Sequence, residues 1–235
     1  MLLATLRKKL MGLLFLLSLS ILIFYMENTA NQIATDLLQI KAIKLDSANY
    51  FTWASGWHSP IYCDNRKALS YPNVRKAICK SFVSLVTDKF ADADVIAGVA
   101  TGAIAHGVLV AEELGKPFVY VRSAPKAHGL ENMIEGDLPK GSKVVVVEDL
   151  ISTGGSSIAA VNAIRKAGSE VLGMVAIFTY GFDIAYKQME SNDCILYTLS
   201  DYNTLIEQAI ALGYIKNEEL GTLKEWRESP SSWRK

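Results

Sequence analysis

The segment Val144–Ser156, which reads VVVVEDLISTGGS, restricts the fold of this 235-residue chain more than any other. It opens with four consecutive valines, a run typical of a strand that is buried on both faces of a parallel sheet. Glu148 and Asp149 follow, then a turn with two glycines, and a helical pattern begins at Ser156. A parallel strand that leads through such a turn into a helix places the turn at the carboxyl edge of the sheet, where α/β proteins bind their ligands.

The turn has the chemistry of a phosphate site. Glycines let the backbone approach a ligand closely, and the N–H groups at the start of a helix favour an anion. Glu148 and Asp149 are placed to hydrogen-bond sugar hydroxyls and to stabilise positive charge that develops on the sugar. We therefore interpret the segment as a ribose-5-phosphate site. The simpler alternative is an ordinary capped turn with solvated acids. The sequence contains no GxxxxGK[ST] or GxGxxG motif that would indicate a different nucleotide fold.

Strands and helices alternate along most of the chain. The predicted strands are Val95–Ala100, Phe118–Val121, Lys143–Val147 and Val171–Phe178. The predicted helices run over about 28–44, from Pro72 to about Phe90, up to about Leu114, from Ser156 to Lys166, and near 202–212 and 217–227. Residues 48–66 indicate short strands and turns, and residues 122–142 a long loop. This alternation predicts βαβ units, and hence an α/β fold with a central, mostly parallel sheet flanked by helices.

The composition excludes several classes of protein. A hydrophobic fraction of 50% rules out a disordered chain. The 24 basic and 24 acidic side chains leave no net charge, which argues against a nucleic-acid binder that works through bulk charge. Three cysteines without a CxxC pair give no zinc signature and fit a reducing compartment. We therefore expect a cytoplasmic protein with no metal ligands of its own.

Residues 1–25 differ in character from the rest of the chain. Three basic residues at 7–9 precede an uncharged, apolar run from Leu10 to Tyr25. Three interpretations stay open: a start assigned too far upstream of Met26, which we favour, a membrane anchor, or a secretory signal. The run is short for a spanning helix and lacks a good cleavage site. We expect contact with a membrane only if this segment is genuine.

Three segments together resemble one enzyme family. Val144–Ser156 is similar to the phosphoribosyl-pyrophosphate (PRPP) motif of the type I phosphoribosyltransferases. Phe51–Arg66, FTWASGWHSPIYCDNR, resembles the N-terminal substrate segment of the orotate phosphoribosyltransferases, and Val121–Gly136, VRSAPKAHGLENMIEG, resembles their catalytic loop. The likeness keeps the same order over about residues 28–182.

The resemblance implies both a fold and a reaction. The expected fold is type I phosphoribosyltransferase-like, with a small N-terminal hood and a mobile catalytic loop. The expected domains are the extension 1–25, a helix and hood over 26–70, and a core with C-terminal helices over 71–235. The implied reaction transfers the ribosyl phosphate group from PRPP to orotate, giving orotidine 5′-monophosphate and pyrophosphate, in pyrimidine (UMP) biosynthesis.

The resemblance also assigns roles residue by residue. It implies catalytic roles for Lys126, His128, Glu148 and Asp149. It implies PRPP contacts for Arg122, Lys126, His128, Glu148, Asp149, Leu150, Ile151, Ser152, Thr153, Gly154, Gly155 and Ser156. Ser152 is also expected to contact orotate. The three loop cations suit a pyrophosphate leaving group, which needs positive charge and a proton donor as it departs. Mg²⁺ is expected to arrive with PRPP. A homodimer is implied in which the catalytic loop of one subunit completes the site of the other.

The likeness is uneven at four positions. Cations of some family members are replaced here by Ala54, Gly102, Ser123 and Gly181. These departures look like a second branch of the family, because the central motif is intact. They leave the contacts to the orotate carboxylate open. The candidates are the backbone N–H groups around Ser59 to Tyr62, and the side chains of Arg66 and Lys67.

Three other functions agree less well with the sequence. Another type I phosphoribosyltransferase, for a purine or for uracil, would share the central motif but not the other two segments. A PRPP-sensing regulator on the same fold would need a basic face to bind nucleic acid, which the charge balance does not favour. A membrane-anchored interaction protein rests on residues 1–25 alone and gives no reason for the motif.

Overall fold

The computed structural model describes residues 28–53, 55–122 and 133–234. The N-terminal segment 1–25 and four single residues considered above lie outside the described residues: Ala54, Ser123, Lys126 and His128. What the sequence predicts of these positions stays a prediction.

The first part of the chain forms a helix and four short strands. Residues 28–39 are helical (α1). The strands are β1 Ile43–Leu45, β2 Phe51–Thr52, β3 His58–Ser59 and β4 Ile61–Cys63, and a 3₁₀ helix covers Asn65–Ser70. Strand β1 pairs antiparallel with β4, and β2 with β3. We call residues 43–63 the hood. Short strands and turns are expected over residues 48–66, and β2, β3 and β4 lie in this range, but its last two residues begin the 3₁₀ helix.

The remainder alternates between strands and helices. The strands are β5 Val95–Val99, β6 Phe118–Val121, β7 Ile134–Glu135, β8 Lys143–Ile151, β9 Glu170–Thr179 and β10 Leu196–Asp201. The helices are α2 Pro72–Lys89, α3 Ile104–Leu114, α4 Gly155–Lys166, α5 Asp183–Ser191, α6 Tyr202–Ala211 and α7 Leu220–Glu228, with a 3₁₀ helix at Asn217–Glu219 before α7. The predicted boundary between hood and core near residue 70 stays a prediction.

Strands β5 to β10 form one six-stranded sheet in the order β10-β9-β8-β5-β6-β7. All neighbouring pairs are parallel except β6 and β7. Helices cover both faces, because alternate valines of β8 enter two different hydrophobic clusters. Val145 and Val147 pack with α1, α2, α3 and α6, while Val144 and Val146 pack with α4 and α5. The predicted α/β fold with a mostly parallel sheet is confirmed.

Strand β8 is longer than its sequence predicts. The valine run indicated an end at Val147, but the strand continues to Ile151. Strand β9 keeps pairing with it as far as Ile151↔Thr179, whereas β5 pairs with it only up to Val147. Glu148 and Asp149 therefore lie on the strand itself, at a stretch whose β5 side opens towards the hood.

Three further elements were missed or misjudged. The helix expected over 28–44 ends near residue 39 and gives way to β1, because Ile43–Leu45 pairs with β4. Strand β10 is held by β9, and α5 buries only Ala185 and Met189. Neither has a strong local pattern, so tertiary pairing decides their structure. Among residues 28–53, 55–122 and 133–234, no helix is long and apolar enough to cross a membrane.

Candidate active site

Residues Ser152–Ser156, which we call the phosphate turn, join β8 to α4 and include the first two residues of that helix. Gly154 lies at the start of α4 with a φ of 83°, a left-handed conformation that side chains rarely adopt. In the described part of the chain, no side chain caps this end of the helix. The first N–H groups of a helix have no acceptor within it, so those of α4 are placed to meet an anion.

Glu148 is buried beneath the phosphate turn. Only 4% of its surface is exposed, and its two carboxylate oxygens accept hydrogen bonds from the Asp149 N–H at 2.9 Å and the Ser157 hydroxyl at 2.8 Å. Burial, and then the charge of Asp149, raise the pKa of Glu148 well above its usual value. The carboxyl group of Glu148 thus links the strand to the first turn of α4.

Asp149 is half-buried, and its side chain lies close enough to that of Glu148 to contribute to the raised pKa of Glu148. Its carboxylate lies directly over the Cα atom of Gly102, and a Cβ atom at position 102 would overlap it. Its carbonyl accepts a hydrogen bond at 2.6 Å from the Nδ2 atom of Asn65, which is itself buried. Some family members have a cation at the position of Gly102. In this chain the Asp149 carboxylate occupies the space that a side chain at position 102 would need.

A cleft of about 330 Å³ lies beside the phosphate turn. The residues that line this base cleft come from the hood, from the end of β8 and from the residue after β9: Thr52, Trp53, Tyr62, Cys63, Leu150, Ser152 and Tyr180. The volume and the aromatic lining suit a single planar ring. Burial, and then the charge of Asp149, raise the pKa of the Cys63 thiol, so this wall stays neutral.

Arg122 follows directly after β6, at the same carboxyl edge of the sheet. Its Nη1 atom lies 3.5 Å from Oε1 of Glu135, and about a third of the side chain is exposed. The structure therefore places Arg122 two strands away from the phosphate turn, with β5 between them. Lys126 and His128, its predicted partners, lie outside the described residues.

The candidates for the orotate carboxylate fall into different places. Tyr62 lines the base cleft, but Lys67 does not, and its Nζ atom donates to the carbonyl of Lys41 at 3.0 Å. Arg66 is paired with Asp64 at 2.6 Å and is largely exposed. At Gly181, a Cβ atom would lie 2.9 Å from Nη2 of Arg227, so the guanidinium group of an α7 residue lies next to this position.

Two of the histidines lie outside the base cleft. The Nδ1 atom of His58 is 2.7 Å from the carbonyl of Arg234, and its ring packs against Tyr50. His106 is buried in α3, and burial lowers its pKa to about 4. Neither ring nitrogen of His106 has a hydrogen-bond partner among the described residues.

Sequence reasoning missed three residues around this site. Asn65 joins the 3₁₀ helix to β8, while Trp226 and Arg227 of α7 reach the hood and the end of β9. Their contacts join positions between 46 and 168 residues apart. No short-range pattern reports such contacts. The only local hint was the helical spacing over 217–227.

Comparisons with known proteins agree with this geometry. The fold and the site define a type I phosphoribosyltransferase, and the phosphoribosyl transferase domain model matches residues 65–207. An orotate phosphoribosyltransferase of Porphyromonas gingivalis is 56% identical over 208 residues, which are 88% of this chain and 99% of that protein. The chain belongs to the type I phosphoribosyltransferases and, within them, to the orotate phosphoribosyltransferases.

Solved structures show the same fold. The crystal structure of orotate phosphoribosyltransferase from Aeropyrum pernix has a TM-score of 0.68 and 27% identity, and the match covers 78% of this chain and 99% of that one. The Mycobacterium tuberculosis orotate phosphoribosyltransferase in complex with PRPP has a TM-score of 0.59 at 24% identity, covering 75% of this chain and 98% of that one.

Proposed function

We propose that this chain transfers the ribosyl 5-phosphate group of PRPP to orotate, giving orotidine 5′-monophosphate and pyrophosphate for UMP synthesis. One observation carries the proposal: Ser152 belongs both to the phosphate turn and to the lining of the base cleft. A sugar phosphate held at the turn would therefore present its anomeric carbon to a ring held in the cleft. The names of the relatives support orotate as that ring.

The reaction displaces pyrophosphate by a ring nitrogen of orotate. The nitrogen loses its proton and forms a bond to the anomeric carbon, while the bond from that carbon to the pyrophosphate oxygen breaks and pyrophosphate leaves with the electron pair. Both bonds are loose in the transition state, so the ribose carries positive charge there. We assign Asp149 to the ribose hydroxyls and to stabilisation of this cation, because it is half-buried and directly precedes Leu150, which lines the base cleft. Glu148 supports this arrangement from below, since its oxygens already accept two hydrogen bonds.

The phosphate turn supplies binding energy away from the reacting carbon. Its N–H groups and hydroxyls would bind the 5′-phosphate, and binding at this remote group helps to hold the anomeric carbon in place. Leu150 and Ile151 connect the acidic residues to the turn and keep the two parts at a fixed distance.

The catalytic loop would neutralise the leaving group. We assign Arg122, Lys126 and His128 to the pyrophosphate, with a proton donor among them. Mg²⁺ would arrive as part of the PRPP substrate, because a hard cation of this kind needs few protein ligands, and it would help to neutralise the leaving group. In the part of the chain that the structure describes, no cluster of side chains could hold a metal ion by itself.

We further propose a homodimer in the cytoplasm, in which each catalytic loop serves the other subunit. The family resemblance of Val121–Gly136 supports the shared loop. The three free thiols, Cys63, Cys79 and Cys194, support a reducing compartment. The zero net charge supports small-molecule substrates over nucleic acid.

A base-selectivity assay on the full chain tests the function. PRPP and Mg²⁺ are supplied with orotate, uracil, hypoxanthine or adenine, and nucleotide formation is followed for each base separately. We expect a product from orotate alone. A product from uracil or a purine would overturn the base assignment. Binding of PRPP without any product would point to a regulator instead.

A further inference from the structure

Helix α7 contacts two sides of the base cleft although it lies beyond the matched domain, which ends at residue 207. Two consecutive residues of this helix make the contacts. Trp226 reaches the hood, and Arg227 reaches the backbone that follows β9. The two sides of the cleft belong to distant parts of the chain, so a single element that contacts both can fix their separation.

Trp226 is fully buried and packs behind the aromatic lining. Its Nε1 atom donates to the carbonyl of His58 at 3.1 Å. Its ring lies 5.8 Å from the ring of Trp53 and 5.8 Å from that of Tyr180. Trp53 and Tyr180 both line the base cleft, and their own rings are 5.0 Å apart. Trp226 therefore supports two of the aromatic residues that line the cleft.

Arg227 holds the main chain on which Tyr180 is carried. Its Nε atom donates to the carbonyl of Tyr180 at 3.2 Å, and its Nη2 atom donates to that of Gly181 at 3.0 Å. The flat guanidinium group can bridge two neighbouring carbonyls in this way, which an ammonium group cannot do as well. In the described ranges 28–53, 55–122 and 133–234, no salt bridge is formed between Arg227 and a carboxylate, so the contacts to these carbonyls define its position, together with the ring of Tyr202 at 5.6 Å.

We propose that Arg227 is a positioning residue for the base cleft: by bridging the carbonyls of Tyr180 and Gly181, it fixes Tyr180, a residue of the cleft lining that is only 2% exposed. The inference rests on the proposed function, because that function makes the cleft the base site. Arg227 acts through Tyr180, whose N–H donates to the carbonyl of Ile151 at 3.1 Å, whereas the phosphate turn begins at the next residue, Ser152. Loss of the bridge should weaken binding of the base much more than binding of PRPP.

Arg227→Met tests this inference, with Arg165→Met as the matched control. Arg165 also bridges two neighbouring carbonyls, those of Asn192 at 2.6 Å and Asp193 at 3.0 Å, but it does so at the far end of α4. We expect Arg227→Met to raise the KM for orotate by about tenfold and to change the KM for PRPP by no more than about twofold. Arg165→Met should change neither constant beyond about twofold.

Arg227→Lys distinguishes the effect of the two hydrogen bonds from the effect of the positive charge. A lysine keeps the positive charge but contacts one carbonyl at best, so the KM for orotate should still rise, by less than in the methionine variant. A lysine variant identical to the wild type would overturn the inference. Equal effects of Arg227→Met and Arg165→Met would also overturn it. If Arg227→Met does not fold, the lysine variant carries the test with the same two constants.

Hydrogen exchange distinguishes a failure of this inference from a failure of the proposed function. The Gly181 N–H donates to the Thr179 hydroxyl at 3.0 Å, and its exchange rate reports how firmly this backbone is held. We expect faster exchange at residues 179–182 in Arg227→Met and no change there in Arg165→Met. If the wild type prefers another base, the KM for that base is measured instead. Unchanged exchange together with an unchanged KM would overturn the inference whatever the base.

Discussion

Glu148 and Asp149 are neighbours in sequence with opposite environments, and this difference has a measurable consequence. Because burial raises the pKa of Glu148, the folded protein binds its proton more tightly than the unfolded chain does. Such a group stabilises the fold below its unfolded pKa, and this contribution is lost as the pH rises through its folded pKa. We expect the free energy of unfolding of the wild type to fall as the pH rises above about 4.5, and Glu148→Gln to reduce this dependence.

Urea unfolding at a series of pH values checks this expectation. Glu190→Gln is the control. Glu190 is exposed on α5, so this substitution removes one carboxylate without changing the site. Parallel pH profiles for the wild type and for Glu148→Gln would contradict the prediction. So would an equally strong effect of the control variant.

For single residues, the sequence predicts which residues belong to the site better than it predicts how deeply each of them is buried. The string from Glu148 to Ser156 was sufficient to predict a ribose-phosphate site. Which carboxylate is buried depends on how far β8 extends beside β9, and no local pattern reports this. Asn65 and Arg227 were missed for a similar reason, since their partners lie 84 and 47 residues away.

At the scale of elements, the phosphate turn depends on the left-handed conformation of Gly154. In Gly154→Ala the new Cβ atom would lie 3.4 Å from Met189, an ordinary contact, so the cost is backbone strain of about 1 kcal/mol and not a clash. A turn that relaxes this strain would displace the N–H groups meant for the phosphate. We expect the KM for PRPP to rise by at least about tenfold, measured in steady-state kinetics.

Gly115→Ala is the matched control for this prediction. Gly115 ends α3 with a φ of 62°, and nothing lies within 4 Å of its Cβ position. Both variants should lose about 1 kcal/mol of unfolding free energy, but only the one at the turn should affect PRPP. A normal KM for PRPP in Gly154→Ala would show that the turn does not bind the phosphate.

Elements with strong local patterns were predicted well, and those held by tertiary contacts were not. Helix α2 begins at Pro72 and α3 ends before Gly115, as expected, because proline and glycine mark helix ends locally. Strand β10 alternates weakly and is defined by its pairing with β9. The extension of β8 past its valines has the same origin.

At the scale of the whole molecule, the site is assembled at one edge of the sheet. The phosphate turn follows β8, Tyr180 follows β9, and Arg122 follows β6. The hood completes the base cleft from outside the sheet, and α7 packs against the hood behind the cleft lining. The sequence could predict this shared edge, because parallel strands end on the same side. It could not predict that the C-terminal helix would support the cleft.

The proposed sharing of catalytic loops between subunits is tested by mixing two inactive variants. Lys126→Ala removes a cation from the loop, and Asp149→Asn removes the carboxylate from the body of the site. If the loop serves the partner, a mixed dimer has one intact site, formed by Asp149 of one subunit and Lys126 of the other. Random reassociation of equal amounts should then restore about a quarter of the wild-type activity, because half of the dimers are mixed and each has one intact site of two.

The control mixture combines Lys126→Ala with His128→Ala. Both changes lie in the loop, so every site in a mixed dimer receives a defective loop and activity should stay at the level of the separate variants. A loop that serves its own subunit would give the same lack of recovery in the first mixture, because neither subunit would then contain a complete site. Recovery in the first mixture and not in the second therefore supports a shared loop, and no recovery in either would contradict it.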